Sequence, residues 1–93
     1  EIYTQFDTLS LHDALPTWIA RRDWIAAFEA AFEAHGRAVR RGRETAIDPY
    51  AADAPDEFFA CTSEMHFSTP AALRAAAPTV AALLAAYYGP PPD

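Results

Sequence analysis

Four residues in the middle of this chain have types and spacings that could do chemistry. Glu57, Cys61 and Glu64 stand at i, i+4 and i+7 of a helical stretch and so share one face, and Tyr50 precedes Glu57 by seven residues. Phe58, Phe59, Met65 and Phe67 are interleaved with the acidic residues, so the helix reads as apolar around most of its circumference and is expected to be largely buried. A carboxylate on such a helix is costly unless it is paired, hydrogen-bonded or bound to metal. Each residue also has a plain reading. Glu57 could stabilise the positive end of the helix dipole, and Glu64 reads as a buried or partly buried salt-bridge partner for an Arg on an earlier helix, as support for a neighbouring ligand, or as a ligand itself. Cys61 reads as a small core residue, and Tyr50 could simply close one end of the bundle. His66 lies nine residues from Glu57, off its face, and reads as a packed or surface histidine.

The elements that must position these residues are all helical. From 21 to 41, Trp24, Phe28, Phe32, His35 and Val39 recur every three to four residues as a core-facing stripe, with Thr17 or Asp23 as its expected cap. Arg37, Arg40, Arg41 and Arg43 gather at its end as a solvated cluster, and Gly42 suits a left-handed stop. Gly36 inside this helix costs about 1 kcal/mol relative to Ala and is read as permitting a close crossing. Asp48, Pro49 and Asp53 then form a turn that leads into a helix over 54–67, for which Asp53 is the expected N-cap and Pro55 a first-turn residue. Pro70 starts a short helix over 70–76, and Pro78 starts another over 78–88 that Gly89 and the three following prolines end. No alternating β-branched run and no Asn-Gly hairpin appears. The expected fold is all-α, a small bundle of about four helices.

The central stretch resembles a known family. The segment Asp48-Pro49-Tyr50-Ala51-Ala52-Asp53-Ala54-Pro55-Asp56-Glu57-Phe58-Phe59-Ala60-Cys61-Thr62-Ser63-Glu64 is similar to Asp-x-Tyr-Ala-Ala-x-Asp-Pro-Ala-Glu-x-Phe-Ala-Val-x-Ser-Glu of the bacterial Mlc titration factor A zinc peptidases. The likeness continues through Pro70-Ala71-Ala72-Leu73-Arg74 and Tyr87-Tyr88, and covers residues 17 to 93. Met65 and His66 depart from the aromatic residues usual there. The resemblance implies that Glu57 is the third ligand of a catalytic zinc ion and that Tyr50 reaches into the active site, as a donor toward the oxyanion. It also implies a peptide substrate and binding to a transcriptional repressor of sugar uptake, and the single Cys61 fits a reducing cytoplasm. The other two ligands in the family come from a His-Glu-x-x-His helix, with the Glu as general base. His12, His35 and His66 do not have that spacing. The expectation is a C-terminal helical portion of a peptidase, inactive alone because one carboxylate cannot hold zinc.

Composition narrows the alternatives. The 93 residues make at most one small domain, which buries only about 60–65% of its unfolded surface. The net charge of −6, from seven Arg, no Lys and thirteen acidic residues, argues against nucleic acid as a partner. The single cysteine precludes an internal disulfide, and no apolar run approaches the ~18 residues of a membrane span. Residues 1–16 fit nothing that follows. Their run from Asp7 to Pro16 looks like translated sequencing-adapter read-through, a non-native segment to set apart from the fold, or else an ordinary amphipathic segment. On either view His12 and Asp13 are not a catalytic pair, and residues 17–93 form the peptidase portion. The competing function is a small acidic helical interaction module without metal, in which Glu57 and Glu64 serve structure; a cleft lined by Tyr50 and Glu57 would favour the peptidase, and a Glu57–Arg pair inside the bundle the module. Missing partner elements would also leave apolar surface open, with Trp18, Trp24, Phe58 and Phe59 as the candidates.

Overall fold

Prolines set where the helices begin. A computed structural model describes residues 15–92 of the chain, and among them four helices and one 3-10 turn follow in order. They are α1 (Arg21–Arg40), the 3-10 helix η1 (Pro49–Ala52), α2 (Pro55–Ser68), α3 (Pro70–Ala76) and α4 (Pro78–Tyr88). Every element after α1 has proline in its first turn, where the missing N–H has no partner to lose. The residues before three of these prolines, Ala54, Thr69 and Ala77, are held at φ −159°, −141° and −148°, outside the helical region, as a following proline requires. The all-α expectation holds, and each helix boundary lies within one residue of the sequence reading.

The helix starts are simpler than expected. Ala20 and Ala54, not Thr17, Asp23 or Asp53, occupy the N-cap positions of α1 and α2, and no side chain caps either helix. Extended pre-proline geometry makes Ala54 the last non-helical residue, so Asp53 falls one position too early. Asp23, Asp56 and Glu57 still lie in first turns, where their charge suits the dipole. The end of α1 is a Schellman arrangement: Gly42 N–H donates to Val39 O and Arg43 N–H to Ala38 O, with Gly42 at φ +70°. Arg37, Arg40, Arg41 and Arg43 are all exposed around it.

Packing decides which faces are inside. Trp24 and Phe28 on α1, Phe58 on α2, Leu73 on α3, and Val80 and Leu84 on α4 are almost wholly buried and form the core. Phe28 meets the edge of Phe58 with ring centroids 6.4 Å apart, and Trp24 meets Tyr87 edge-on at 5.6 Å. Trp24 and Phe58 are therefore not open surface, contrary to expectation, because they fill the seam between α1 and α2. Phe59 is half-buried against Phe28 and Trp24. Trp18 alone of the four is well exposed, at 74%, with its indole N–H donating to Ala86 O at 3.3 Å.

The helix α2 is also less buried than its composition suggests. Only Phe58, Thr62 and His66, at i, i+4 and i+8, are inside, and Thr62 Oγ1 returns to its own helix through Phe58 O at 2.9 Å. The open apolar surface lies elsewhere. Ala26, Ala27, Ala30, Ala31 and Ala34 of α1 face Ala76, Ala77, Val80 and Leu83 across a groove of about 1140 Å³. The molecule is a slab of 39 × 37 × 16 Å.

Two glycines give opposite predictions. A Cβ at Gly36 would meet only the flexible end of Arg40, 3.1 Å away, so the glycine serves no helix crossing, which corrects the expectation. Gly36→Ala should raise stability by about 0.5–1 kcal/mol in urea denaturation, and a loss of stability would show a tighter site than described. Gly42→Ala should lower it by about 1–2 kcal/mol, because a Cβ at φ +70° is strained although space is open there. Phe58→Ala should cost about 3–5 kcal/mol in the same denaturation, a large share of the stability of a small domain.

Candidate functional site

Asp48 organises the turn that carries Tyr50. Its carboxylate accepts the Tyr50 N–H at 2.9 Å, and its carbonyl accepts the Ala51 N–H at 2.9 Å, which closes η1. A third contact comes from α1, where His35 Nε2 lies 2.9 Å from the same carbonyl. Beneath the turn, Ala51 is fully buried, and Ile47 just before it is in the core. Thr45 Oγ1 donates to Ile47 O at 2.6 Å and steadies the approach. Tyr50 is thereby held at the surface on a base rooted in the core, with 58% of its area exposed.

Glu57 lies in the first turn of α2, partly exposed, and its carboxylate faces Tyr50. The phenol oxygen stands 3.5 Å from Glu57 Oε2, a long hydrogen bond with the phenol as donor. Glu57, a measure of burial, Asp53, and the hydrogen bond to Glu57 together push the Tyr50 phenol above its ordinary range, with Asp56 adding to them. The group stays protonated, a donor, at any physiological pH. The phenol is thus the side-chain partner of Glu57.

Cys61 sits one turn along the same face, half-buried. Burial raises its thiol, and Asp48, Glu57 and Glu64 act in the same direction. Glu64 is exposed rather than buried, which overturns its reading as a buried or partly buried partner for an Arg on α1. Rotation explains this: it is Thr62 and His66, not Glu64, that turn toward the core. His66 is packed on the side of α2 away from Glu57. Its ring lies against Phe67 at 4.7 Å and Tyr88 at 5.6 Å, its Nε2 buried without a partner, and Tyr88 OH donates to Ser63 Oγ nearby.

The structure thus brings Tyr50, Glu57 and Cys61 onto one surface and leaves His66 on another. His12 and Asp13 lie outside the described residues. Among those described, no three His, Cys, Asp or Glu side chains converge closely enough to hold a metal ion. Sequence reasoning overlooked the part of His35: its place in the apolar stripe marked it as inward-facing, but nothing local showed that its ring nitrogen would meet the carbonyl of Asp48. No helix among the described residues is long and apolar enough to cross a membrane.

No curated protein and no solved structure matches the chain. A family model does, that of the glucose-regulated metallo-peptidase M90, over residues 10–89, a span that starts within the segment set apart above and takes in Tyr50, Glu57 and the whole of the helical core. A match over that much of its length means that the chain belongs to the M90 family of glucose-regulated metallopeptidases.

Proposed function

We propose that this chain is the C-terminal portion of a cytoplasmic zinc-dependent peptidase, with Glu57 as one of three zinc ligands and Tyr50 as a donor to the substrate. The observation that carries the reading is the pairing of the Tyr50 phenol with the Glu57 carboxylate on an open face. The competing module reading would gain from a Glu57–Arg pair inside the bundle, whereas the side-chain partner of Glu57 here is the Tyr50 phenol.

The fit to a metal is partial. Glu57 offers one hard oxygen donor, partly exposed and at the positive end of α2, and the described residues add no converging imidazole. Glu57 would hold zinc only together with two histidines of a His-Glu-x-x-His helix from a preceding part of the protein. When bound, the zinc supplies Lewis acidity and a water of lowered pKa.

The rest of the chemistry belongs to residues of this chain. Tyr50, anchored through Asp48, offers a phenol proton that the surrounding carboxylates keep in place, and it donates toward the oxygen of a peptide carbonyl as negative charge grows there. It needs little reorganisation, because the turn beneath it is fixed by three hydrogen bonds to one residue. The family relation implies peptide substrates. Binding to a repressor of sugar uptake remains part of this proposal through the resemblance, with no residue assigned to it.

Two measurements test this. In the intact enzyme Glu57→Ala should remove bound zinc and peptide cleavage, and Tyr50→Phe should keep the zinc but lower kcat by about 10²–10³-fold. Full zinc content and activity in Glu57→Ala would refute the ligand assignment. In the chain alone the Tyr50 phenol should titrate above about 10, the ordinary tyrosine value. Glu57→Gln should bring it down, as followed by the ring carbon resonance; an unchanged titration would show that the two groups do not interact in solution.

A further inference from the structure

We propose that His35 is a positioning residue for the Tyr50–Glu57 pair, acting through the carbonyl of Asp48 and the ring of Phe58. This deepens the peptidase reading and rests on it. His35 is nearly buried on α1, and its Nε2 lies 2.9 Å from Asp48 O. A carbonyl oxygen can only accept, so the ring nitrogen must carry the proton, and the contact selects the Nε2–H tautomer.

The geometry ties this ring to both halves of the site. Asp48 holds Tyr50 N–H through its carboxylate, and its carbonyl is shared between His35 and Ala51 N–H. Loss of the imidazole donor would leave that carbonyl bonded only within its own turn, and α1 would then hold the turn by packing alone, without a directional bond. The same ring lies tilted on Phe58, with centroids 5.9 Å apart, and Phe58 is the fully buried neighbour of Glu57. One side chain of α1 thus touches the segment that carries the phenol and the helix that carries the carboxylate. The contact between those two groups is already long at 3.5 Å, so a small displacement of either would break it. A misplacement of about 1 Å at a reacting group can cost about 10²-fold in rate.

Glutamine at position 35 can place an amide N–H where Nε2 now stands, whereas leucine keeps bulk without a donor. In the 93-residue chain, imidazole nitrogen shifts should show the Nε2–H tautomer. Cross-relaxation between the Tyr50 ring and the Glu57 side chain should persist in His35→Gln and vanish in His35→Leu, while contacts between Trp24 and Tyr87 persist in both. An Nδ1–H tautomer in the unaltered chain would overturn the proposal even if His35→Leu failed to fold, and so would a surviving Tyr50–Glu57 signal in folded His35→Leu. In the intact enzyme, His35→Leu should lower kcat at least about ten-fold with zinc content and KM unchanged, and His35→Gln should restore most of it. Unchanged kcat in His35→Leu would also overturn the proposal. If Glu57→Ala stays active, the peptidase reading falls instead, and the resonance data still decide whether His35 sets the pair.

Discussion

The architecture depends on backbone exclusion at proline. Pro49, Pro55, Pro70 and Pro78 each open an element, and the residue ahead of each is kept out of the helical region. Without them, the alanine-rich stretch from Pro70 to Tyr88 would have every reason to run on as one helix, since alanine has the highest helix propensity. The break at Ala77–Pro78 instead folds α4 back against α1, so that Val80, Ala81 and Leu84 join Trp24 and Phe28 in one core. The break at Ala54–Pro55 has the further effect of placing Glu57 in a first turn, close to the surface and near η1.

From this follows a division of labour between the two sides of α2. Its inner edge, Phe58, Thr62 and His66, is committed to packing, and Thr62 satisfies its hydroxyl within the helix. Its outer edge, Glu57, Cys61 and Glu64, is left with partial or full exposure and three sources of negative charge nearby. Among the described residues three buried side-chain polar atoms remain without hydrogen-bond partners: Glu29 Oε2 on α1, and the nitrogens Trp24 Nε1 and His66 Nε2, which both lie inside aromatic clusters. Burial of an unsatisfied N–H or ring nitrogen costs about 1–3 kcal/mol, so the aromatic contacts around each must outweigh that cost.

Much of the fold was legible because its punctuation is local. Proline and glycine act on their own backbone and on the adjacent residue, so the limits of α1 to α4 could be read from single positions such as Gly42, Pro70 and Gly89. What could not be read depends on which way a helix is turned. An apolar helix such as α2 has several faces that could be inside, and only the meeting of Phe58 with Phe28 and Phe32 selects one. The same selection put Glu64 in solvent and buried Trp24. Tyr50 and Glu57 came from the motif as neighbours in sequence, and the structure adds that they are neighbours in space. The contribution of His35 spans thirteen residues, from a helix to a loop carbonyl, and no periodicity encodes such a contact.

Cys61 carries one more consequence of this arrangement. Peroxides and alkylating reagents attack the thiolate and not the thiol, so a sulfur raised by burial and by Asp48, Glu57 and Glu64 is sheltered from oxidation. The shelter is electrostatic in part and therefore reversible. Neutralising the carboxylates around it, by substitution or by a bound cation, would acidify the sulfur and quicken its modification.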